Sequence, residues 1–217
     1  MKKVISLLLA LVLCLSLVAC SGGNDTPEAN ETPSAEASTT EAPGATEYAI
    51  GDAFGTDSVE CIVTDVVWVT QEDVINFNET HDFNSGNTVM ASSLFNGYTF
   101  YGISGFNPNS TKYPYLCVTF TLQNVGKTLV EPTIQDNNWG AAFNSYGSIS
   151  VIYDDGYTFD AEEGFNTTLE ILGDAFKEGR IFEVPAQVYE NEDKVLKVKI
   201  TLPNANGETE EFIVSVR

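Results

Sequence analysis

The sequence lacks most of the side chains with which enzymes perform acid–base or metal chemistry. Its only histidine is His81, in a polar stretch, and only 4 of the 217 residues are cysteine. Without a positioned base, a serine or cysteine remains a weak nucleophile. No Ser-x-x-Lys motif occurs, and Gly102–Phe106 narrowly misses the Gly-x-Ser-x-Gly motif of hydrolases, which also needs a strand-to-helix turn. These absences predict a protein that is not an enzyme and that carries no cofactor.

Basic residues are also scarce. The chain has 10 Lys and Arg against 31 Asp and Glu, a formal net charge of −21. Such a surface repels the phosphates of nucleic acids and anionic lipid headgroups, so no nucleic-acid partner is expected. The acids include Asp154, Asp155, Asp160, Glu162 and Glu163, which lie around a glycine turn. We interpret this cluster as a solvated hairpin tip and predict no metal site, although the sequence leaves calcium binding open.

Long apolar runs are absent except at the N-terminus. After two lysines, the almost wholly apolar Val4–Val18 leads into Leu17–Cys20. A basic head, an apolar core of this length and small residues at its end predict a secretory signal over residues 1–19. A transmembrane helix is the alternative, but a span needs roughly 20 apolar residues and this run is shorter. The tetrapeptide resembles a bacterial lipobox, which implies lipid on Cys20 and an anchor at the extracytoplasmic face of the cell membrane.

Residues 20–47 follow as a predicted linker. They contain six acids, no base, and no aromatic or β-branched apolar residue. Such a segment cannot bury enough apolar surface to offset the entropy of ordering, so we expect it to be disordered. As a flexible coil it averages roughly 30 Å from end to end. The folded domain is expected to span residues 48–217, close to the membrane.

Two cysteines, Cys61 and Cys117, fall in this folded domain. An exported protein is found where disulfides persist, so a bridge between the two is one prediction. The favoured alternative is that both are unpaired and act as small buried apolar residues, because the flanking residues do not clearly place both on one face of a sheet.

Short apolar alternations broken by turn residues predict an all-β domain from residue 48 onward. The clearest strands are Tyr115–Gln123 and Lys194–Leu202, and Asp154-Asp155-Gly156 predicts a hairpin turn because glycine accepts a positive φ. Gln71–Asn78 predicts at most a short helical turn, and no ten-residue stretch shows convincing helical periodicity. The pattern favours a two-sheet sandwich that carries an inserted hairpin or long loops.

Four short stretches resemble an immunoglobulin-like domain family of unknown function that is common in Gram-positive lipoproteins. They are Ile50–Asp52, Leu116–Lys127 with its Asn-x-Gly turn, Tyr153–Phe159, and Glu178–Pro185 with its final Val-Pro. The resemblance covers nearly all of 48–217. It implies an immunoglobulin-like β-sandwich and brings no catalytic residues.

The run from Phe83 to Leu122 has no acid and a single base, Lys112. Its aromatic residues are interleaved with uncharged polar residues, a mixture typical of sugar and protein contact surfaces. The alternative is that these rings fill the core of the domain. The sequence predicts a binding module at the cell envelope, with a protein or glycan partner, and an envelope-polymer hydrolase is the alternative function. The predicted ligand contacts are Phe95, Tyr98, Phe100, Tyr101 and Phe106.

Overall fold

The computed structural model describes residues 46–81, 87–137 and 140–217, without the side chains of 134–143. The predicted signal and Cys20 lie outside these residues, as does all but the end of the linker. The strands of the described part are β1 (Glu47–Ala49), β2 (Ala53–Gly55), β3 (Val59–Val69), β4 (Val89–Met90), β5 (Thr99–Phe100), β6 (Gly105–Phe106), β7 (Tyr115–Asn124), β8 (Thr133–Asn137), β9 (Gly140–Asn144), β10 (Ser148–Tyr153), β11 (Tyr157–Asp160), β12 (Phe176–Glu183), β13 (Leu196–Pro203) and β14 (Thr209–Ser215). The helices are α1 (Gln71–Thr80), α2 (Ala91–Leu94) and α3 (Ala186–Glu190).

Ten of these strands form two five-stranded sheets. The first sheet has the order β1-β14-β13-β10-β11, and the second has the order β2-β3-β7-β12-β5. Neighbours are antiparallel except for the β1–β14 and β12–β5 pairs. The order β3-β7-β12 corresponds to strands A, B and E of an immunoglobulin sandwich, and β14-β13-β10 corresponds to G, F and C. The predicted all-β sandwich is confirmed.

The space between the two sheets holds the main core. Strand β13 buries every second residue (Leu196, Val198, Ile200 and Leu202), as its alternation predicts. Strand β7 faces it with Leu116, Val118, Phe120 and Leu122, all buried. Complete burial of one such side chain stabilises the fold by about 1.5–3 kcal/mol. Alternation in these two strands therefore fixes which face of each sheet points inward.

In strand β3, the set of alternate residues that points into the core changes part-way along the strand. Residues Val59, Cys61 and Val63 point into the main core, and the register with β7 then shifts between Val63 and Asp65. After this β-bulge, the inward side chains are those of Val66 and Trp68. One extra residue in a strand moves every later side chain to the opposite face. The alternation of apolar residues in β3 changes phase at this point of the sequence. Because the bulge changes the phase of the side chains at the same point, apolar residues face the core on both sides of it.

An insertion of the kind predicted lies between β3 and β7, and its described residues, 70–81 and 87–114, pack on the outer face of the second sheet. It forms a second apolar cluster with outward residues of β7 and β12, among them Cys117 and Ile181. The β4–β6 pair lies within it, and β5 adds an edge strand beside β12. In this region the second sheet is therefore covered by apolar side chains on both faces.

Helix α1 corrects the expectation that Gln71–Asn78 forms at most a short helical turn, because it spans ten residues, Gln71–Thr80. Thr70 accepts a hydrogen bond from the backbone N–H of Asp73 at 3.2 Å. The Asp73 carboxylate accepts one from the backbone N–H of Thr70 at 2.8 Å. This reciprocal capping box satisfies two N–H groups that a helix start leaves unpaired. Apolar periodicity missed the helix because only Val74 and Asn78 of its residues are buried.

The disulfide prediction is wrong, and its alternative is confirmed. Cys61 and Cys117 are both free and buried. Cys61 lies opposite Leu122 and faces the main core, whereas Cys117 lies opposite Val67 and faces the second cluster. Opposite faces of one sheet keep their sulfur atoms apart. Burial raises the pKa of both thiols, so neither is a reactive thiolate.

Candidate functional site

Two of the aromatic residues predicted as ligand contacts are packed inside the molecule. Phe106 is 0% exposed and Phe100 is 9% exposed, both within the second cluster. The Phe100 ring lies over Gly179 of β12, where any added Cβ would overlap it. The prediction is wrong for these two, because a ligand cannot reach them, and the core-filling alternative holds instead.

The other three predicted contacts are half-buried and are used by the fold. The Tyr98 hydroxyl donates to Thr64 Oγ1 at 3.0 Å, which fastens the insertion to the bulge of β3. The Tyr101 hydroxyl lies 3.0 Å from Thr167 Oγ1. Phe95 packs on Phe100, with 5.5 Å between ring centroids. Ligand contact by these three stays a prediction, but each already contributes to packing.

Sequence reasoning missed an ion pair inside the main core. Glu178 and Arg180 of β12 are 0% and 1% exposed and pair with each other. The guanidinium also donates to three backbone carbonyls, at distances of 2.8–3.1 Å from the nitrogen to the carbonyl oxygen. Its carbon lies 5.3 Å from the centroid of the Tyr101 ring. Burial raises the pKa of Glu178, and the Arg180 charge opposes that shift. This cluster is closed to solvent, so it braces the loop before β12 and does not form a ligand site.

The β10–β11 hairpin was predicted correctly, but the residues with positive φ are different from those expected. Asp154 and Asp155 have φ of 51° and 49°, and the Gly156 N–H donates to Tyr153 O at 3.2 Å. Two successive residues with positive φ make the type I′ turn that suits the twist of a hairpin. Asp154 pairs with Lys194 at 3.2 Å, and Asp155 pairs with Lys197 at 3.0 Å.

These ion pairs also bear on the acidic cluster considered for calcium. The two aspartates at the tip face lysine ammonium groups, which compete with a cation for the same oxygens. Within the described ranges, no group of three or more His, Cys, Asp or Glu side chains is arranged to hold a metal ion.

A groove of about 330 Å³ lies between this hairpin and helix α3. Its lining residues are Tyr153, Asp154, Tyr157, Phe159, Pro185, Gln187, Val188 and Asn191.

The groove combines a buried floor with an exposed aromatic wall. Tyr153 and Val188 are buried, whereas Tyr157 is 63% exposed. The centroids of the two tyrosine rings are 6.4 Å apart. The Tyr153 hydroxyl points to the carbonyl of Gln187 at 3.5 Å, which ties the hairpin to α3. Both walls therefore belong to elements that are held in place by hydrogen bonds and by the main core.

Two amide side chains at the groove have their hydrogen-bonding groups available. Gln187 and Asn191 are exposed, and their backbone carbonyls accept hydrogen bonds from Tyr153 and Arg217. In the part of the chain that the structure describes, no protein group hydrogen-bonds the side-chain amide of either residue. Each amide offers one acceptor oxygen and two donors to a ligand.

His81 follows helix α1 and is exposed. Its Nδ1 lies 3.0 Å from Thr80 Oγ1 and 3.1 Å from Phe77 O, and its ring stacks on that of Phe77. These contacts place the imidazole at a helix end and away from the groove. The absence of enzyme activity stays a prediction.

No family model matches the chain. No curated protein matches it either. An uncharacterized β-sandwich protein from Clostridium difficile is similar in structure, with 13% identity over 88% of this chain and 100% of its own, at a TM-score of 0.42. The yjhA protein from Bacillus subtilis is similar with 9% identity over 78% of this chain and 99% of its own, at a TM-score of 0.43.

Proposed function

We propose that this chain is a bacterial lipoprotein, held at the extracytoplasmic face of the cell membrane by lipid on Cys20. Its sandwich acts as an immunoglobulin-like binding module of the cell envelope. The basic head, apolar run and lipobox-like Leu17–Cys20 support the anchor. Among the described residues, no helix is long and apolar enough to span a membrane.

The observation that carries the binding role is the groove between the β10–β11 hairpin and α3. It presents an exposed tyrosine ring and two free amides on elements that are hydrogen-bonded to each other and packed on the main core, which is how binding sites combine an apolar surface with a few oriented polar groups. The Glu178–Arg180 pair is not an alternative binding site, because it is buried and a ligand cannot reach it.

The anchor is tested by metabolic labelling with a fatty acid in a bacterial host. We expect wild-type protein to carry the label and Cys20→Ala to lose it and leave the membrane fraction. Cys14→Ala is the matched control, because Cys14 lies inside the predicted signal and should not change labelling. Label retained on Cys20→Ala contradicts the anchor.

The binding role is tested by sedimentation of purified protein with isolated cell envelopes. Saturable co-sedimentation that excess unlabelled protein displaces supports a binding module. Protein that stays in the supernatant at every envelope concentration contradicts it.

A further inference from the structure

We propose that the groove binds an uncharged glycan, with Tyr157 as a stacking platform and Gln187 and Asn191 as hydrogen-bond partners of sugar hydroxyls. This inference rests on the proposed binding function and names its site and its class of ligand.

The side chains of the groove match the two faces of a sugar ring. A pyranose has a C–H face that packs on an aromatic ring, and a rim of hydroxyls that both donate and accept hydrogen bonds. Tyr157 supplies a large exposed ring with few rotatable bonds, so ordering it on binding costs little entropy. The amides of Gln187 and Asn191 supply donors and acceptors on the opposite wall.

The size of the groove favours a short segment of a polymer over a folded protein. Its volume of about 330 Å³ is near the lower end of the range for small-molecule sites, which begins at roughly 300 Å³. A stable interface between folded proteins buries about 800 Å² on each partner, which needs a much wider surface. One or two sugar rings of a longer chain suit this groove.

The charge around the groove disfavours anionic glycans. Lys194 is paired with the carboxylate of the lining residue Asp154, and the guanidinium of Arg217 donates to the backbone carbonyls of the lining residues Val188 and Asn191. Exposed acids follow α3 at Glu192 and Asp193, and the whole chain has a formal charge of −21. An anionic polymer therefore meets net repulsion, because the charge of Arg217 does not offset the exposed acids and the overall negative charge, whereas a neutral glycan meets no such repulsion.

Isothermal titration of the full chain in detergent, with three tetrasaccharides, tests this proposal. Chitotetraose and cellotetraose are neutral probes, and tetragalacturonate is the anionic one. We expect saturable binding of at least one neutral probe and none of the anionic probe. Tyr157→Ala should weaken the neutral binding by about tenfold, the effect expected for loss of one aromatic contact.

Leu172→Ala is the matched control. Leu172 is a large apolar side chain that is 93% exposed and lies in the loop before β12, outside the groove. We expect this variant to bind like wild type, and both variants to keep the wild-type melting temperature within a few degrees because the changes are at the surface. Failure of both neutral probes to bind, equal binding of the anionic probe, or full binding by Tyr157→Ala overturns the inference.

The envelope sedimentation assay separates this inference from the proposed function. If wild type and Tyr157→Ala both co-sediment with envelopes equally well, the binding module stands and the groove is not its site. If a peptide digest of the envelope displaces the wild-type protein and glycan fragments do not, the ligand is a peptide and the glycan inference is wrong. If wild type does not co-sediment, the proposed function itself is wrong.

Discussion

Arg180 illustrates how one buried side chain can organise several backbone segments. Its guanidinium pairs with Glu178 and lies over the rings of three aromatic residues, Tyr101, Phe120 and Phe165. Its N–H groups donate to the backbone carbonyls of Glu163 and Gly164 in the loop before β12. Loss of one partner of a buried ion pair leaves the other charge without compensation. The pair therefore makes the main core sensitive to single substitutions at these two positions.

We expect Arg180→Met to lower the free energy of unfolding by about 3–5 kcal/mol, the usual cost of breaking a buried pair. The double variant Glu178→Leu with Arg180→Met should be more stable than Arg180→Met alone, because it removes the stranded carboxylate. Denaturant titration of both variants and wild type measures the difference. A double variant that is less stable than Arg180→Met shows that Glu178 has a stabilising role apart from Arg180.

The pH dependence of stability provides a separate test at Glu178. Its pKa is raised above the usual value of 4.5, mainly by burial, so the folded state holds this proton more tightly than the unfolded chain. The stabilisation from protonation is complete below pH 4.5 and is lost as pH rises through the folded pKa. Glu178→Gln cannot ionise, so its melting temperature should rise relative to wild type as pH increases from 4.5 to 7. A fall of the variant relative to wild type over that range means that Arg180 outweighs burial.

The Glu178–Arg180 pair could not be predicted from the sequence, and the reason is physical. Every second residue of β12 points to the same face of the sheet, and on the inward face these are Phe176, Glu178, Arg180 and Phe182. The alternation of the strand itself therefore places both charges in the core. Charged residues are almost never fully buried unless they are paired, and sequence alone does not reveal that pairing. The strand was therefore predictable, but its most unusual contact was not.

At the scale of elements, the contact between β5 and β12 fixes the insertion on the second sheet. Phe100 pairs with Gly179 in a parallel register, and its ring occupies the space where a side chain would be. We expect Gly179→Ala to displace that ring and to destabilise the protein by about 1–3 kcal/mol, as overpacking does. Hydrogen exchange should quicken first in residues 87–110, and the first sheet should stay protected.

Gly156→Ala is the matched control for this prediction. A Cβ at Gly156 meets nothing closer than 3.6 Å, so it fits without displacement. Equal destabilisation by the two variants would show that loss of glycine, and not contact with Phe100, is responsible.

The elements also show where sequence reasoning succeeds and where it fails. Alternation in β7 and β13 and the turn at 154–156 predicted strands and a hairpin correctly, because these signals are local. The groove required two distant segments to meet, and neither Tyr157 nor Gln187 alone carries a signal of that contact. The signal available for helix α1 was the capping pair Thr70 and Asp73, which apolar periodicity does not detect.

At the scale of the whole molecule, the described domain closes on its own N-terminal strand. Glu47 of β1 pairs with Lys197 at 2.9 Å and accepts a hydrogen bond from Ser215 at 2.7 Å. We expect residues 46–217 to unfold cooperatively without the linker, with a far-UV spectrum of β type. Thermal melts of this fragment and the full chain should agree within a few degrees. A broad transition contradicts a single cooperative domain.

The parallel pairing of β1 with β14 has a mechanical consequence for a tethered protein. Under the proposed anchor, chain tension enters the described domain at Glu47, whereas the groove lies near Tyr153, at the end of the first sheet toward which β1 runs. A force between the proposed anchor and the groove therefore acts along β1. The hydrogen bonds between β1 and β14 are then loaded in shear, so they must break at the same time. The same strand pulled sideways would unzip one bond at a time. Under the proposed anchoring and binding roles, stretching between anchor and ligand loads these hydrogen bonds in shear.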